Sequence, residues 1–309
     1  MAFTAQDVKK LREMTNVGMM DCKAALAATD GNMDAAIDWL REKGLAKAAK
    51  KADRIAAEGV AYATVVDGIG VVIEVNSETD FAAKTESFMD LVKNLAIVVA
   101  KENPADVDAL KACKYPNSNL TVTEIMQEKV MSIGENMQIR RFDRFAENFS
   151  VAYVHAGGSH GVLVNLAVTG DIDATEIGKN VAMQIAAMNA KYWDKTLVPQ
   201  AEVDKEMQVQ LALMENDPKM ASKPAQVKEK IAQGKIAAFF KDICLLQQDF
   251  VRGDLFQGDV AGYIADASKK LGGKAEFVNA IHYIKGEGIE KKEENFAAEV
   301  AAQIAGAGK

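Results

Sequence analysis

No apolar run in this 309-residue chain approaches the ~20 residues that a membrane-spanning helix needs. Cysteine is scarce. Cys22, Cys113 and Cys244 lie far apart without a C-x-x-C pair, so neither a disulfide framework nor a zinc site is indicated, and a reducing, cytoplasmic setting is expected. The opening residues MAFTAQDVKKLREM lack the apolar stretch and small-residue cleavage site of a signal peptide. No Gly-x4-Gly-Lys-Ser/Thr loop is available to cradle phosphates. Excess positive charge is also missing: 37 Lys and Arg stand against 44 Asp and Glu, a net charge of −7, which argues against a nucleic-acid coat. What remains, 49% hydrophobic and 26% charged, is the balance of a globular protein with protein partners.

The hydrophobic periodicity predicts an α+β fold. Thr4 and Asp7 can form a capping box ahead of Val8, Leu11 and Met14 at helical spacing. Asn16-Val17-Gly18 breaks that pattern. A second helix is expected from about Met19 to Ala28. Asn32 can cap a third, carrying Ala36, Ile37 and Leu40, which Gly44 should stop. The basic, alanine-rich stretch Lys47 to Arg54 then reads as a solvated helical linker. The period changes at Val60–Val66, turn Asp67-Gly68 and Gly70–Val75, a β-hairpin signature followed by a helix through Phe88–Val99. VAYATVVDGIGVVIEV from Val60 and VAYVHAGGSHGVLVNL from Val151 align without gaps, sharing Val60/Val151, Ala61/Ala152, Tyr62/Tyr153, Gly70/Gly161 and Val71/Val162. The second copy also runs into a helix, Thr175 to Ala190, which favours duplication over chance and gives two related α/β halves with antiparallel sheets.

Between the halves, Thr121 to Ile133 is a helix with Thr121 and Glu124 as capping pair and Gly134 as stop, and Met137 to Phe142 resembles a strand. Glu202–Glu215 and Ala225–Asp242 predict a protruding helical hairpin. A short helix near Val260–Lys270, a strand at Phe277–Ile284 and a terminal helix after Gly288 complete the reading. The expected division is 1–54, three helices and linker; 55–149, first half of the core; 150–200, second half, resuming after the hairpin to about 285; 201–245, hairpin insertion; and 258–309, a C-terminal helical module.

Catalytic chemistry finds little support. Gly157-Gly158-Ser159-His160-Gly161 sits where the other copy has its hairpin turn, so a turn is favoured over a phosphate site. His155 and His160 have no cysteine nearby and no matched acidic ligand, which favours surface or partner-contact histidines over a metal. Ser159 beside His160 is not a catalytic pair, because neighbouring strand residues face opposite ways. No enzyme, cofactor or metal is therefore expected. Past the first hairpin comes Asn76-Ser77-Glu78-Thr79-Asp80-Phe81-Ala82-Ala83-Lys84. Periodicity by itself gives Asp80 a capping role and places Phe81 in the core.

EVNSETDF (74–81) resembles the signature of the bacterial elongation factor Ts family, and so, in family order, do LREMTNVGMMDCKAAL (11–26), IGENMQIRR (133–141) and GEGIEKKEENFAAEVA (286–301). The resemblance implies a guanine-nucleotide exchange factor for elongation factor Tu. It also implies a ubiquitin-associated-like three-helix domain docking on the GTPase through Met19 and Met20, and a Thr-Asp-Phe tip, Thr79, Asp80, Phe81 and Ala82, that displaces Mg²⁺ there. His155 matches a family position that touches the partner. The helical hairpin would serve a homodimer or a 2:2 heterotetramer. The rival from another class is a ubiquitin-associated-type adaptor that binds a different protein without exchange activity; an enzyme using the His155–Gly161 loop is more distant.

Overall fold

The computed structural model describes residues 3–15 and 17–290, so the helix expected after Gly288, and with it most of the fourth family motif, lies outside the described residues. Three helices open the chain: α1 (Ala5–Thr15), α2 (Met19–Ala28) and α3 (Met33–Lys51). The Thr4–Asp7 box forms, with Thr4 N donating to Asp7 Oδ2 at 2.7 Å and Asp7 N to Thr4 Oγ1 at 3.3 Å. Asn32 Oδ1 accepts from Ala35 N. Val8, Leu11, Val17, Cys22, Leu26, Ala36 and Leu40 make a small core, against which Trp39 and Met131 pack.

Gly44 does not stop the third helix. The helix continues to Lys51, and Gly44 instead allows a close approach: a Cβ there would lie 2.4 Å from Met131 Sδ. The end of the expected linker is also tied down. Lys51 Nζ donates to Gly134 O, and Asn136 Nδ2 donates to the carbonyls of Ala52 and Arg54.

The chain then forms β1 (Glu58–Val66), β2 (Ile69–Ser77), the single turn α4 (Asp80–Ala83), α5 (Glu86–Glu102), α6 (Val107–Ala112), α7 (Val122–Ile133) and β3 (Met137–Phe145). Asp67 and Gly68 both have positive φ, 51° and 82°, as a tight two-residue hairpin turn requires. Helix α7 begins in a full Thr121–Glu124 capping box and ends at Gly134 in the left-handed region. The next elements are β4 (Phe149–His155), β5 (His160–Thr169), α8 (Thr175–Met188), α9 (Gln200–Asn216), α10 (Pro218–Ala221), α11 (Ala225–Ile243), α12 (Val260–Lys270) and β6 (Lys274–Ile284). The sheets have orders β1-β2-β3 and β4-β5-β6. Each is thus a hairpin followed by helices and closed by a third strand beside the second.

Contacts group the described residues into two units, and the grouping is not linear. One holds the residues up to 61 with 73–142 and 284–290; the other holds 62–72 and 143–283. The turn end of the β1–β2 hairpin and residues 258–283 both belong to the second unit. In the first unit, α5 buries Phe88, Leu91, Val92, Leu95 and Val99, and α3 packs on α7. In the second, α8 lies on β4 and β5, with Val162, Val164, Leu166, Ile177, Val181 and Ile185 at the centre of the core. Helix α9 pairs with α11.

Candidate functional site

The Thr-Asp-Phe segment leaves β2 and makes one helical turn before α5. A helix this short has too few internal bonds to hold itself, so its neighbours must fix it. Thr79, in extended conformation, caps it by accepting from Ala82 N at 3.2 Å. Ser77 Oγ donates to Thr79 O. At the other end Thr85 Oγ1 donates to Ala82 O at 2.7 Å and accepts from Phe88 N, joining α4 to the first turn of α5. Ala82 and Ala83 are buried beneath the turn. Capping belongs to Thr79 and not, as periodicity suggested, to Asp80.

Phe81 is not in the core. It is 80% exposed on the outer face of α4, the most exposed large hydrophobic residue among those described. The period of the segment could not show this, because one four-residue turn is too short to define an apolar face. Asp80 pairs with Lys84 at 2.6 Å, and Lys84 Nζ lies 6.0 Å from the Phe81 ring centroid. The hydrogen bond from Lys84 holds the Asp80 carboxyl below the ordinary carboxylate value. Beside the tip lies an open depression of about 1020 Å³, bordered by Arg54, Glu78, Asp80, Phe81 and Lys285.

Two carboxylates that pattern reading missed brace the tip from below. Glu135 accepts from Thr79 N at 3.0 Å and from Thr79 Oγ1 at 2.6 Å. Glu78 accepts from Asn136 N at 2.6 Å and from the Arg54 guanidinium. Both lie inside stretches already singled out, EVNSETDF and IGENMQIRR, but no spacing rule pairs residues 56 positions apart. Deeper in the same unit, Glu74 is fully buried. Its Oε1 accepts from Arg140, Asn76 and the backbone N–H of Gly286, and its Oε2 from Arg141 at 2.7 Å. Gly286 has φ +68°, and a Cβ there would lie 2.2 Å from Ala57 O. Only glycine brings its N–H to Glu74.

Met19 and Met20, at the start of α2, are 51% and 74% exposed, so neither is a core residue. His155 is exposed at the end of β4 in the second unit, with Tyr153 Oη 2.8 Å from its Nδ1. It pairs across the hairpin with His160, whose Nδ1 is 2.9 Å from His282 Nε2. Burial, then the charge of His155, lowers the His160 pKa from the ordinary histidine value. The Gly157-Gly158 segment is the hairpin turn, with positive φ from Ala156 through Gly158.

Helices with antiparallel sheets, here carrying an exposed aromatic ring on a capped turn, define an α+β protein. The sequence model of the family described as Elongation factor TS matches residues 78–287. Relatives named Elongation factor Ts include those of Bartonella tribocorum (42% identical, 99% of this chain and 100% of the relative), a Nitratiruptor species (44%, 98% and 100%) and Clostridioides difficile (43%, 98% and 99%). The chain belongs to the elongation factor Ts family.

Proposed function

We propose that the Thr79–Ala82 tip is the working element by which this protein, a translation elongation factor acting as the nucleotide exchange factor of elongation factor Tu, promotes release of GDP. The observation that carries this reading is the exposure of Phe81 on a turn capped at both ends. No bond is made or broken in exchange. A GTPase holds its nucleotide through backbone N–H groups around the phosphates and a Mg²⁺ that bridges phosphate oxygens. An aromatic ring inserted beside that site displaces the elements that hold Mg²⁺ and the phosphate loop, and Asp80 adds negative charge near the phosphates. Burying a Phe side chain is worth about 1.5–3 kcal/mol. At about 1.4 kcal/mol per decade, that supports a ten- to hundredfold acceleration of release. Because coupling between binding affinities is reciprocal, bound nucleotide weakens factor binding by the same ratio as the factor weakens nucleotide binding, so incoming GTP expels the factor.

The three N-terminal helices, ubiquitin-associated-like in the family, dock on the GTPase through Met19 and Met20, whose flexible thioethers suit an adaptable apolar contact. His155 adds a contact from the second unit. The α9–α11 pair exposes Val209, Leu213 and Val227 and is the surface through which a homodimer or 2:2 heterotetramer would form. The protein acts in the cytoplasm and binds no cofactor of its own. An adaptor without exchange activity is not favoured, because the family match runs through the tip and the core that carries it. The test is release of a fluorescent GDP from elongation factor Tu with wild type and Phe81→Ala. The variant should melt like wild type and lose at least tenfold of the stimulation; undiminished stimulation would refute the wedge.

A further inference from the structure

We infer that Glu135 is a positioning residue for the exchange tip, a role that rests on the reading of Thr79–Ala82 given above. Helix α7 ends at Gly134 in the left-handed conformation, and that turn carries Glu135 beneath the tip. Both carboxylate oxygens of Glu135 go to one residue, Thr79, the cap of α4. The geometry gives the Thr79 hydroxyl one arrangement. Its proton is donated to Glu135 Oε1, which leaves a lone pair for Ala82 N, and the cap of α4 therefore depends on the carboxylate behind it. Fixing the backbone N–H of Thr79 as well sets where the turn starts and so where Phe81 points.

The neighbouring Glu78–Asn136 bond runs the opposite way between the same two loops, and Asn136 is tied in turn to Ala52 and Arg54. That half of the clasp holds the unit together, whereas the Glu135 half ends on the tip. A tip ordered before contact avoids the entropy of ordering on contact. Removing the carboxylate should therefore lower the rate reached in the complex more than it weakens docking through the rest of the protein.

The experiment measures stimulated GDP release from elongation factor Tu across factor concentrations, separating the maximal rate from the half-saturating concentration. Wild type, Glu135→Ala, Glu135→Gln, Glu135→Asp and Phe81→Ala are compared, with amide hydrogen exchange of residues 79–84 in the free proteins. Glu135→Ala removes both charge-assisted hydrogen bonds to Thr79 and should cut the maximal rate at least roughly tenfold. The half-saturating concentration should move less than about threefold, and the tip amides should exchange faster by a similar factor to the rate loss. Glu135→Gln, of equal length but with one accepting oxygen for the two Thr79 donors, should restore only part of the rate. Glu135→Asp, charged but a methylene short, should not, and it decides the matter if the alanine variant fails to fold. Full maximal rate in both Glu135→Ala and Glu135→Asp alongside an impaired Phe81→Ala overturns the role of Glu135 and leaves the wedge standing. An unimpaired Phe81→Ala overturns the wedge and this role together.

Discussion

Replacing Glu74 by Gln should be among the most damaging single-atom changes in the first unit. The side chain has no exposure, and its two oxygens accept four hydrogen bonds, from Arg140, Arg141, Asn76 and Gly286 N. Gln keeps one acceptor but turns an N–H₂ toward cationic donors and leaves both guanidinium groups without their buried counter-charge. Breaking a buried pair costs about 3–5 kcal/mol. The side chains of Arg140 and Arg141 keep 28% and 31% exposure and can partly rehydrate, so the low end, about 3 kcal/mol, applies. At about 2–4 °C per kcal/mol for a unit of this size, the melting transition should fall by about 6–12 °C at neutral pH.

The same carboxylate sets an acid limit. Burial raises its pKa, but the Gly286 N–H, the two arginines and Asn76 outweigh burial and hold it below the ordinary value. A depressed folded-state pKa contributes stability that is complete above the unfolded value, about 4.3, and is lost as the pH falls through the folded value. Thermal melts of wild type and Glu74→Gln across pH should therefore show a constant gap near neutrality that closes only in acid. A neutral-pH loss under about 1 kcal/mol, or a gap that persists at the acid extreme, would refute the reasoning.

Other changes separate packing from docking. Gly44→Ala places a Cβ against the Met131 thioether. Because that side chain is flexible, the packing cost should sit at the low end of overpacking, about 1 kcal/mol. The gain of about 0.5–1 kcal/mol from Ala over Gly within a helix should nearly cancel it, leaving the thermal melt close to wild type. A loss above about 2 kcal/mol would mean that Met131 cannot move aside. Met20→Asp, at a site 74% exposed, should leave stability within about 0.5 kcal/mol. It should raise the half-saturating concentration for exchange about tenfold without lowering the maximal rate, on the same scale of about 1.4 kcal/mol per decade. An unchanged half-saturation would remove Met20 from the docking surface. This point change is preferable to deleting residues 1–50, which would cut through α3 and strip its packing from α7.

Features written in local chemistry were legible in the chain. The Thr4–Asp7 and Thr121–Glu124 boxes, the Asp67-Gly68 turn and the strand and helix segments follow from residues within a few positions of one another. The run of helices and paired strands, with its repeated hairpin, is of the same kind. The tip was located by its resemblance to a family signature, while its periodicity pointed the wrong way for Phe81.

What determined Phe81's exposure, and the fate of Gly44, was packing. Gly44 has the residue type of a helix stop, yet the thioether of Met131, from a distant helix, fills the space that glycine leaves open, and the helix continues. Glu74, Glu78 and Glu135 read as ordinary carboxylates until the fold brings Gly286, Asn136 and Thr79 to them. Short-range hydrogen bonding and hydrophobic period are properties of neighbouring residues and can be read along the chain. Burial of a charge, the approach of two backbones and the exposure of one ring depend on contacts between distant segments, and only the tertiary structure supplies those.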